Sequence, residues 1–363
     1  MLPDELARRS GHPCVGSTGS LTRLPAPAFD HLERLTDSGG LWEHARGSTP
    51  RTEHGFCTDD NARALVVTSR QPAPTDGVIA LAATYLDFVL EARTENGRFH
   101  NRRAAGGAWT DDVGGDDTQG RAWWALGTVA RLGATAQMRR AGADAFATCA
   151  WPGSPHLRAN AYAVLGAVEM LAAEPGHSAA ADLLERTSGV IAGAALGRIP
   201  WPEDRLSYDN ARLPEALLAA GATLGRRRLT AVGIRLLEWL VRIESHGDRF
   251  SFTPGTGCTP GDARPGFDQQ PIEAWAMAEA CHRAWSVTGD GVWKVRALKA
   301  AQWLMGRNDN GLVLYDEATG ATRDGLMEHS VNDNRGAEST LAGIGALQTA
   351  AAYSAVVPDT AGL

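Results

Sequence analysis

The stretch Thr58-Asp-Asp-Asn-Ala-Arg-Ala-Leu-Val-Val67 sets a pattern that the rest of the 363-residue chain repeats. Two acids, an amide and an arginine run straight into an apolar, Ala-rich segment with helical spacing. The tetrapeptide Asp-Asn-Ala-Arg recurs at 209–212, within Tyr208-Asp-Asn-Ala-Arg-Leu-Pro-Glu215. The same syntax returns as Gly115-Asp-Asp-Thr-Gln-Gly-Arg-Ala-Trp-Trp124 and Pro155-His-Leu-Arg-Ala-Asn-Ala-Tyr162. It appears twice more, as Phe267-Asp-Gln-Gln-Pro-Ile-Glu-Ala-Trp275 and Asn332-Asp-Asn-Arg-Gly-Ala-Glu-Ser339. Six spaced copies of one unit argue for a repeated architecture rather than six unrelated helices.

Amphipathic stretches at 27–36, 77–93, 136–149, 179–195, 227–244 and 291–306 lie between these openings and read as partner helices. Three of them end at a Gly turn and continue into a short aromatic-polar strand, at 95–100, 246–252 and 308–315. The expectation is an all-α fold, an (α/α)6 toroid in which outer and inner helices alternate six times, with β-hairpin-like loops at one end. One domain is expected over 25–355, with a loose arm at 1–24 and a tail at 356–363.

A hydrophobic fraction of 44% with 21% charged residues suits a chain with a large core. The net charge of −7 opposes tracking of a phosphate backbone, so no nucleic acid is expected as partner. No apolar run reaches the length of a membrane span, and no secretory signal is visible at the first residues. Five scattered cysteines, without a Cys-x-x-Cys pair, argue against a zinc cluster or disulfide framework and fit a reducing cytoplasm. Neither metal nor cofactor is expected, since phosphate-loop, dinucleotide, zincin and Ser-hydrolase motifs are all missing.

The six-unit pattern resembles the six-hairpin glycosidase superfamily over residues 25–355. Gly55-Phe-Cys-Thr-Asp-Asp-Asn-Ala-Arg63 and Leu206-Ser-Tyr-Asp-Asn-Ala-Arg-Leu213 further resemble segments of poorly characterised bacterial proteins found beside glycosyltransferases. The resemblance implies inner helices that run in one direction, so that their N-termini open on a common face. It also implies an oligosaccharide or glycoconjugate substrate, with association to a glycosyltransferase as a further expectation.

An Asp or Asn at a helix N-terminus has a plain capping role. One short acceptor suffices for a cap, however, whereas these clusters add a second acid and an arginine three or four residues on. Glycosidic cleavage needs one carboxyl group to protonate the leaving oxygen and one carboxylate to activate water or attack the sugar. Asp60 and Asp117 are the expected catalytic pair. Two aspartates at similar separation also resemble the arrangement in unsaturated glucuronyl hydrolases of the superfamily. The expected substrate-binding set is Asp59, Asn61, Arg63, His100, Asp112, Asp116, Arg121, Trp124, Tyr208, Asp209, Asn210, Arg212, Gln269, Gln270, Glu273, Asn334, Arg335 and Glu338. Asp112, Asp209, Glu273 and Glu338 double as reserve acids, the two glutamates one turn into their helices. Eleven tryptophans offer indole faces for sugar stacking, and Trp109, Trp151 and Trp201 sit in loops or ahead of inner helices.

An inverting glycoside hydrolase is the leading expectation. A phosphorylase would use Arg63, Arg121 or Arg335 as an anion pocket. Epimerases of the superfamily rely on paired histidines, and here only His156 lies in an opening, with His329 just before another. A non-catalytic carbohydrate-binding partner of a glycosyltransferase is the remaining alternative.

Overall fold

The computed structural model describes residues 24–197, 200–259 and 266–354. The tail expected at 356–363, and all but the last residue of the arm expected at 1–24, lie outside the described residues. Among those described, twelve helices form two concentric layers. The inner layer is α2 (Thr58–Ser69), α4 (Asp116–Leu132), α6 (Leu157–Ala173), α8 (Arg212–Thr223), α10 (Pro271–Thr288) and α12 (Ala337–Ser354). Each inner helix packs on the next, and α12 packs back on α2, so the ring closes. The outer helices α3 (Asp76–Glu91), α5 (Ala136–Thr148), α7 (Ser178–Ala194), α9 (Arg227–Ile243) and α11 (Gly291–Leu304) each pack on the inner helix that precedes them. This is the (α/α)6 toroid.

The sixth outer helix is shorter than the expected 27–36. Only α1 (Asp30–Arg34) is helical, and it packs on α12. Thr36–Asp37 turns out of the helix to pair with Gly40–Leu41, and Gly40 takes a φ of +129°, which no helix accommodates. Of the three expected strands, 246–252 forms a hairpin, Ser245–His246 against Arg249–Phe250. The other two reach only isolated bridges, Phe99 to Arg93 in one, and Val313 to Met305 and Tyr315 to Thr322 in the other.

Link lengths distinguish the two ends of the toroid. From inner to outer helix the chain needs only two to six residues, as at 133–135 and 289–290. From outer to inner helix it runs long, as at 92–115, 244–270 and 305–336. All the long segments therefore gather where the inner helices begin, the pattern of a scaffold that carries its function on loops. The inner ring can close tightly because it is poor in large side chains at its contacts. A Cβ on Gly127 would lie 2.1 Å from the Gly166 carbonyl oxygen, so α4 and α6 touch backbone to backbone.

Below the open end the toroid axis is filled by ion pairs. Arg212 is fully buried between the indoles of Trp124 and Trp275, each 4.7 Å from its guanidinium carbon. It donates to Asp209 at 3.2 Å, to Glu215 at 2.7 Å and to Glu279. Glu279 also meets Arg70 at 2.5 Å, and Glu169 meets Arg131 at 2.8 Å. Burial of this many charges is tolerable only because each has a partner.

Glu244, at the end of α9, is buried and accepts from the Thr253 amide at 3.1 Å and its hydroxyl at 2.5 Å. Burial pushes its carboxyl up to about 7, against an ordinary value of 4.5, and the Thr253 donors only partly offset this. The folded state thus holds a proton that the unfolded chain releases earlier. This contribution to stability is full below pH 4.5 and is lost as pH rises through 7. Glu244→Gln is expected to flatten the pH dependence of the urea midpoint in that window and to gain roughly 2–3 kcal/mol at pH 8. An unchanged slope between pH 4.5 and 8 would show the proton is not held there.

Candidate functional site

Asp60 and Asp117 are not helix caps. Outer helices α3, α5, α7 and α11 are capped by side chains, from Thr75, Thr135, His177 and Asp290. At the starts of inner helices α2, α4, α6, α8 and α10 the N-cap residues are Cys57, Gly115, His156, Ala211 and Gln270, and none makes a side-chain cap bond. Asp60 and Asp117 fall inside the first turn, beyond the cap position. Ordinary helix economy therefore leaves their carboxylates unexplained.

What they line is a cavity of about 740 Å³. Every inner helix contributes from its start or the residues just before it: Asp59, Asp60 and Arg63; Asp116, Asp117 and Arg121; His156; Tyr208; Gln270; Glu338. The long loops add Glu43, His44, Asp268 and Asp324. Eight carboxyl groups and two arginines face one space.

The arginines organise the acids. Arg63 bridges Asp60 at 2.5 Å and Glu338 at 2.7 Å. Arg121 donates to Asp59 at 3.0 Å and to the Tyr162 hydroxyl at 3.1 Å, and lies 3.5 Å from Asp117. Tyr162 passes its own proton donor down to buried Asp209 at 2.5 Å, tying the cavity floor to the ion pairs below. The Asp-to-Arg spacings read from the sequence thus form three pairs, 60–63, 117–121 and 209–212.

These contacts split the carboxyls into two kinds. Burial pushes Asp59 up, but Arg121 and Arg63 outweigh it and hold the group below the usual carboxylate range. Burial pushes Asp60 up, Arg63 opposes it and Glu43 reinforces it, leaving the group raised. Glu338 is also raised, by desolvation against the pull of Arg63, although 38% of its side chain faces the open space. Asp268 is raised by burial and by the neighbouring Asp324. Burial raises Asp324 too, despite the Gly336 amide donating to it at 2.7 Å. Asp117 accepts the Tyr208 hydroxyl proton, and burial together with Asp117 raises that phenol, so Tyr208 stays a donor.

Among the described residues, Glu43, Cys57 and Asp60 bring ligand-type atoms within 4.8 Å of one another. Both Asp60 oxygens are already engaged, one by Arg63 and one by the Cys57 thiol at 3.2 Å. Burial raises the thiol well above its ordinary range, which disfavours the thiolate a metal needs. The set is a hydrogen-bonded wall and fits an ion poorly.

Of the residues singled out in the sequence, ten line the cavity: Asp59, Asp60, Arg63, Asp116, Asp117, Arg121, His156, Tyr208, Gln270 and Glu338. The others stand elsewhere, for identifiable reasons. Asn61 is buried, accepting from the Leu41 amide and donating to the Cys57 carbonyl. Trp124 is core, stacked on Tyr162 and Trp275. Asp209 and Asn210 precede α8 rather than open it, and Asp209 takes a φ of +49°. Glu273 brackets that turn, accepting the Asp209 and Asn210 amides, and so does not reach the opening. Asn210 in turn receives Arg158 at 2.7 Å. Arg212 is the buried axis described above.

Gln269 is a buried clamp, accepting the Phe252 amide and donating to Asp309. His100 stacks on Trp109 and bonds the Asp111 carbonyl oxygen. Asp112 is exposed on the loop ahead of α4 and lies outside the cavity lining. Asn334 accepts the Gly47 amide, and Arg335 donates to the Ser48 hydroxyl. Trp201 is buried against Trp239, and His329 is exposed. Sequence reasoning passed over Glu43, His44, Asp268 and Asp324. Only Asp268 carried a signal, standing next to Gln269 in the fifth unit.

No family model and no curated protein matches the sequence. Solved structures do match. A sugar epimerase from a ruminal bacterium superposes with a TM-score of 0.68 at 13% identity, covering 90% of this chain and 95% of that one. A cellobiose 2-epimerase from Bacillus thermoamylovorans gives 0.69 at 10% identity, covering 91% and 96%. A GH76 alpha-mannanase from Bacteroides thetaiotaomicron gives 0.63 at 10% identity, covering 90% and 94%. At such identities the likeness is one of fold, and it establishes the helical toroid for this chain.

Proposed function

We propose that the chain is a carbohydrate-processing enzyme, and within that class a glycoside hydrolase. The observation that carries this reading is the split among the cavity carboxyls. Asp59 is held ionised by arginine, Asp60 and Glu338 are raised toward the protonated form, and all three face the same space. Acid-base cleavage of a glycosidic bond requires that division of labour.

Within the set, Glu338 is the proton donor to the leaving oxygen. It combines a raised carboxyl with a side chain open to the cavity, whereas Asp60 is nearly buried behind Arg63. Asp117 is the base. Its contacts, the Tyr208 hydroxyl and the Arg121 guanidinium, are both donors, as an anionic acceptor needs. Asp60 acts through Arg63 as a positioning residue. Hydrolysis is favoured over phosphorolysis because both arginines that line the cavity among the described residues, Arg63 and Arg121, are already paired with carboxylates.

Epimerisation is the second reading. It is favoured by His44 and His156, both of which line the cavity and offer two bases of the kind a proton transfer across a sugar carbon needs. One experiment separates the readings. Glycan-library turnover is followed by product analysis in deuterium oxide, with and without phosphate. Hydrolysis gives new reducing ends, no carbon-bound deuterium and no phosphate dependence. Deuterium on a sugar carbon without chain cleavage would replace the hydrolase with an epimerase, and no turnover of any glycan would remove both.

A further inference from the structure

A second concavity of about 440 Å³ lies beside the first, lined by Trp151, Ser154, Asn160, Arg186, Thr187 and Val190 among others. It is formed between the link from α5 to α6 and the outer helix α7. The two spaces share a wall. The Ser154 hydroxyl donates to Asp116 of the main cavity at 2.6 Å and accepts the amide of His156, another main-cavity residue, at 2.9 Å.

The link is held in shape rather than left to search. Asn160 of α6 donates to the Ser154 carbonyl at 2.8 Å, and the Ala150 amide bonds the Gly97 carbonyl at 3.0 Å. Pro152 and Pro155 remove two further backbone freedoms. Trp151 is only half-buried and meets Trp123 edge-on, with ring centroids 6.4 Å apart. It is therefore not spent on a stacked core pair, unlike Trp124 and Trp201. An indole on a stiff loop, lining the same concavity as an exposed arginine, is a platform for the apolar face and rim hydroxyls of a pyranose ring.

We propose that this concavity is an outer sugar subsite. It holds, against Trp151 and Arg186, a neutral pyranose unit beyond the one processed in the main cavity, so that the substrate is an oligosaccharide crossing the Ser154–Asp116 wall. The assignment rests on the carbohydrate reading above and adds to it the length of the substrate.

The test uses cello-oligosaccharides and α-linked manno-oligosaccharides of two to five units, titrated calorimetrically into the full chain carrying Glu338→Gln. In one of the series the four-unit sugar is expected to bind about tenfold more tightly than the two-unit sugar. Adding Trp151→Ala removes that gain and leaves two-unit binding unchanged. Trp151→Phe, which keeps an aromatic face, retains most of it. Arg186→Ala, an exposed position whose loss spares the core, is expected to cost two- to threefold on the longer sugars only. Equal binding at all lengths, or a length gain that survives Trp151→Ala and Arg186→Ala, overturns the subsite and leaves the main cavity's assignment standing. Absence of binding by every oligomer in both series removes the carbohydrate reading itself, and the subsite with it.

Discussion

Arg212→Met is expected to destabilise the protein by about 3–5 kcal/mol, as removing one member of a buried ionic group does. Asp209, Glu215 and Glu279 all rely on this guanidinium, and only Glu279 keeps a second arginine among the contacts described, Arg70 at 2.5 Å. Methionine preserves much of the apolar volume between Trp124 and Trp275, so the loss isolates charge from packing. Urea unfolding at pH 7 measures it. Burial already pushes Glu215 up, and the neighbouring Glu279 adds to this. Without Arg212 these carboxyls take up protons on folding, so the deficit shrinks as pH falls toward 5. A variant as stable as the parent at pH 7 would mean that the axial ion pairs contribute packing alone.

Glu338→Gln is expected to lower turnover of whichever glycan the parent processes by about 10²–10⁴-fold, the range for loss of a general acid. Gln keeps the shape and an oxygen for Arg63, so thermal stability should change little. The pH profile gives the sharper reading. Because the Glu338 carboxyl is raised, the parent holds the proton above the ordinary glutamate range and loses activity as pH rises through that raised value. The variant lacks that alkaline limb. Asp117→Asn tests the base in the same assay and is expected to match the loss, while Asp60→Asn, acting through Arg63, costs less. Full activity in Glu338→Gln would pass the donor role to Asp60, Asp268 or Asp324, the other raised carboxyls in the cavity.

The toroid was legible because helical periodicity is written many times over, and errors in one repeat do not alter the count. Where the prediction overran, at 27–36, a tertiary pairing of Thr36–Asp37 overrode local pattern. The site was legible only in its first layer. Gln269 and Gln270 look alike in sequence, yet one clamps Phe252 and Asp309 while its neighbour faces the cavity. Glu273 and Glu338 stand at similar depth in their helices, yet one brackets a turn and the other lines the opening. One residue of helical phase decides such cases, and sequence spacing does not resolve it. Glu43 and Asp324 were illegible for another reason. They sit in aperiodic loops and are brought in by contacts far along the chain, such as the Glu43 carbonyl receiving the Ala337 amide.

The contact between α12 and α2 has a bearing on how the molecule comes into being. Arg63 and its partner Glu338 are separated by nearly the whole described chain, so the loop they close is among the costliest the fold contains. During synthesis the earlier helical hairpins have neighbours to pack on at once, but the ring stays a broken crescent until residue 354 clears the ribosome. The proposed donor is thus among the last groups to be installed. A nascent or truncated chain stopping short of α12 would display the carboxylate array without the residue assigned to use it, and assembly of the ring and onset of chemistry become a single late event.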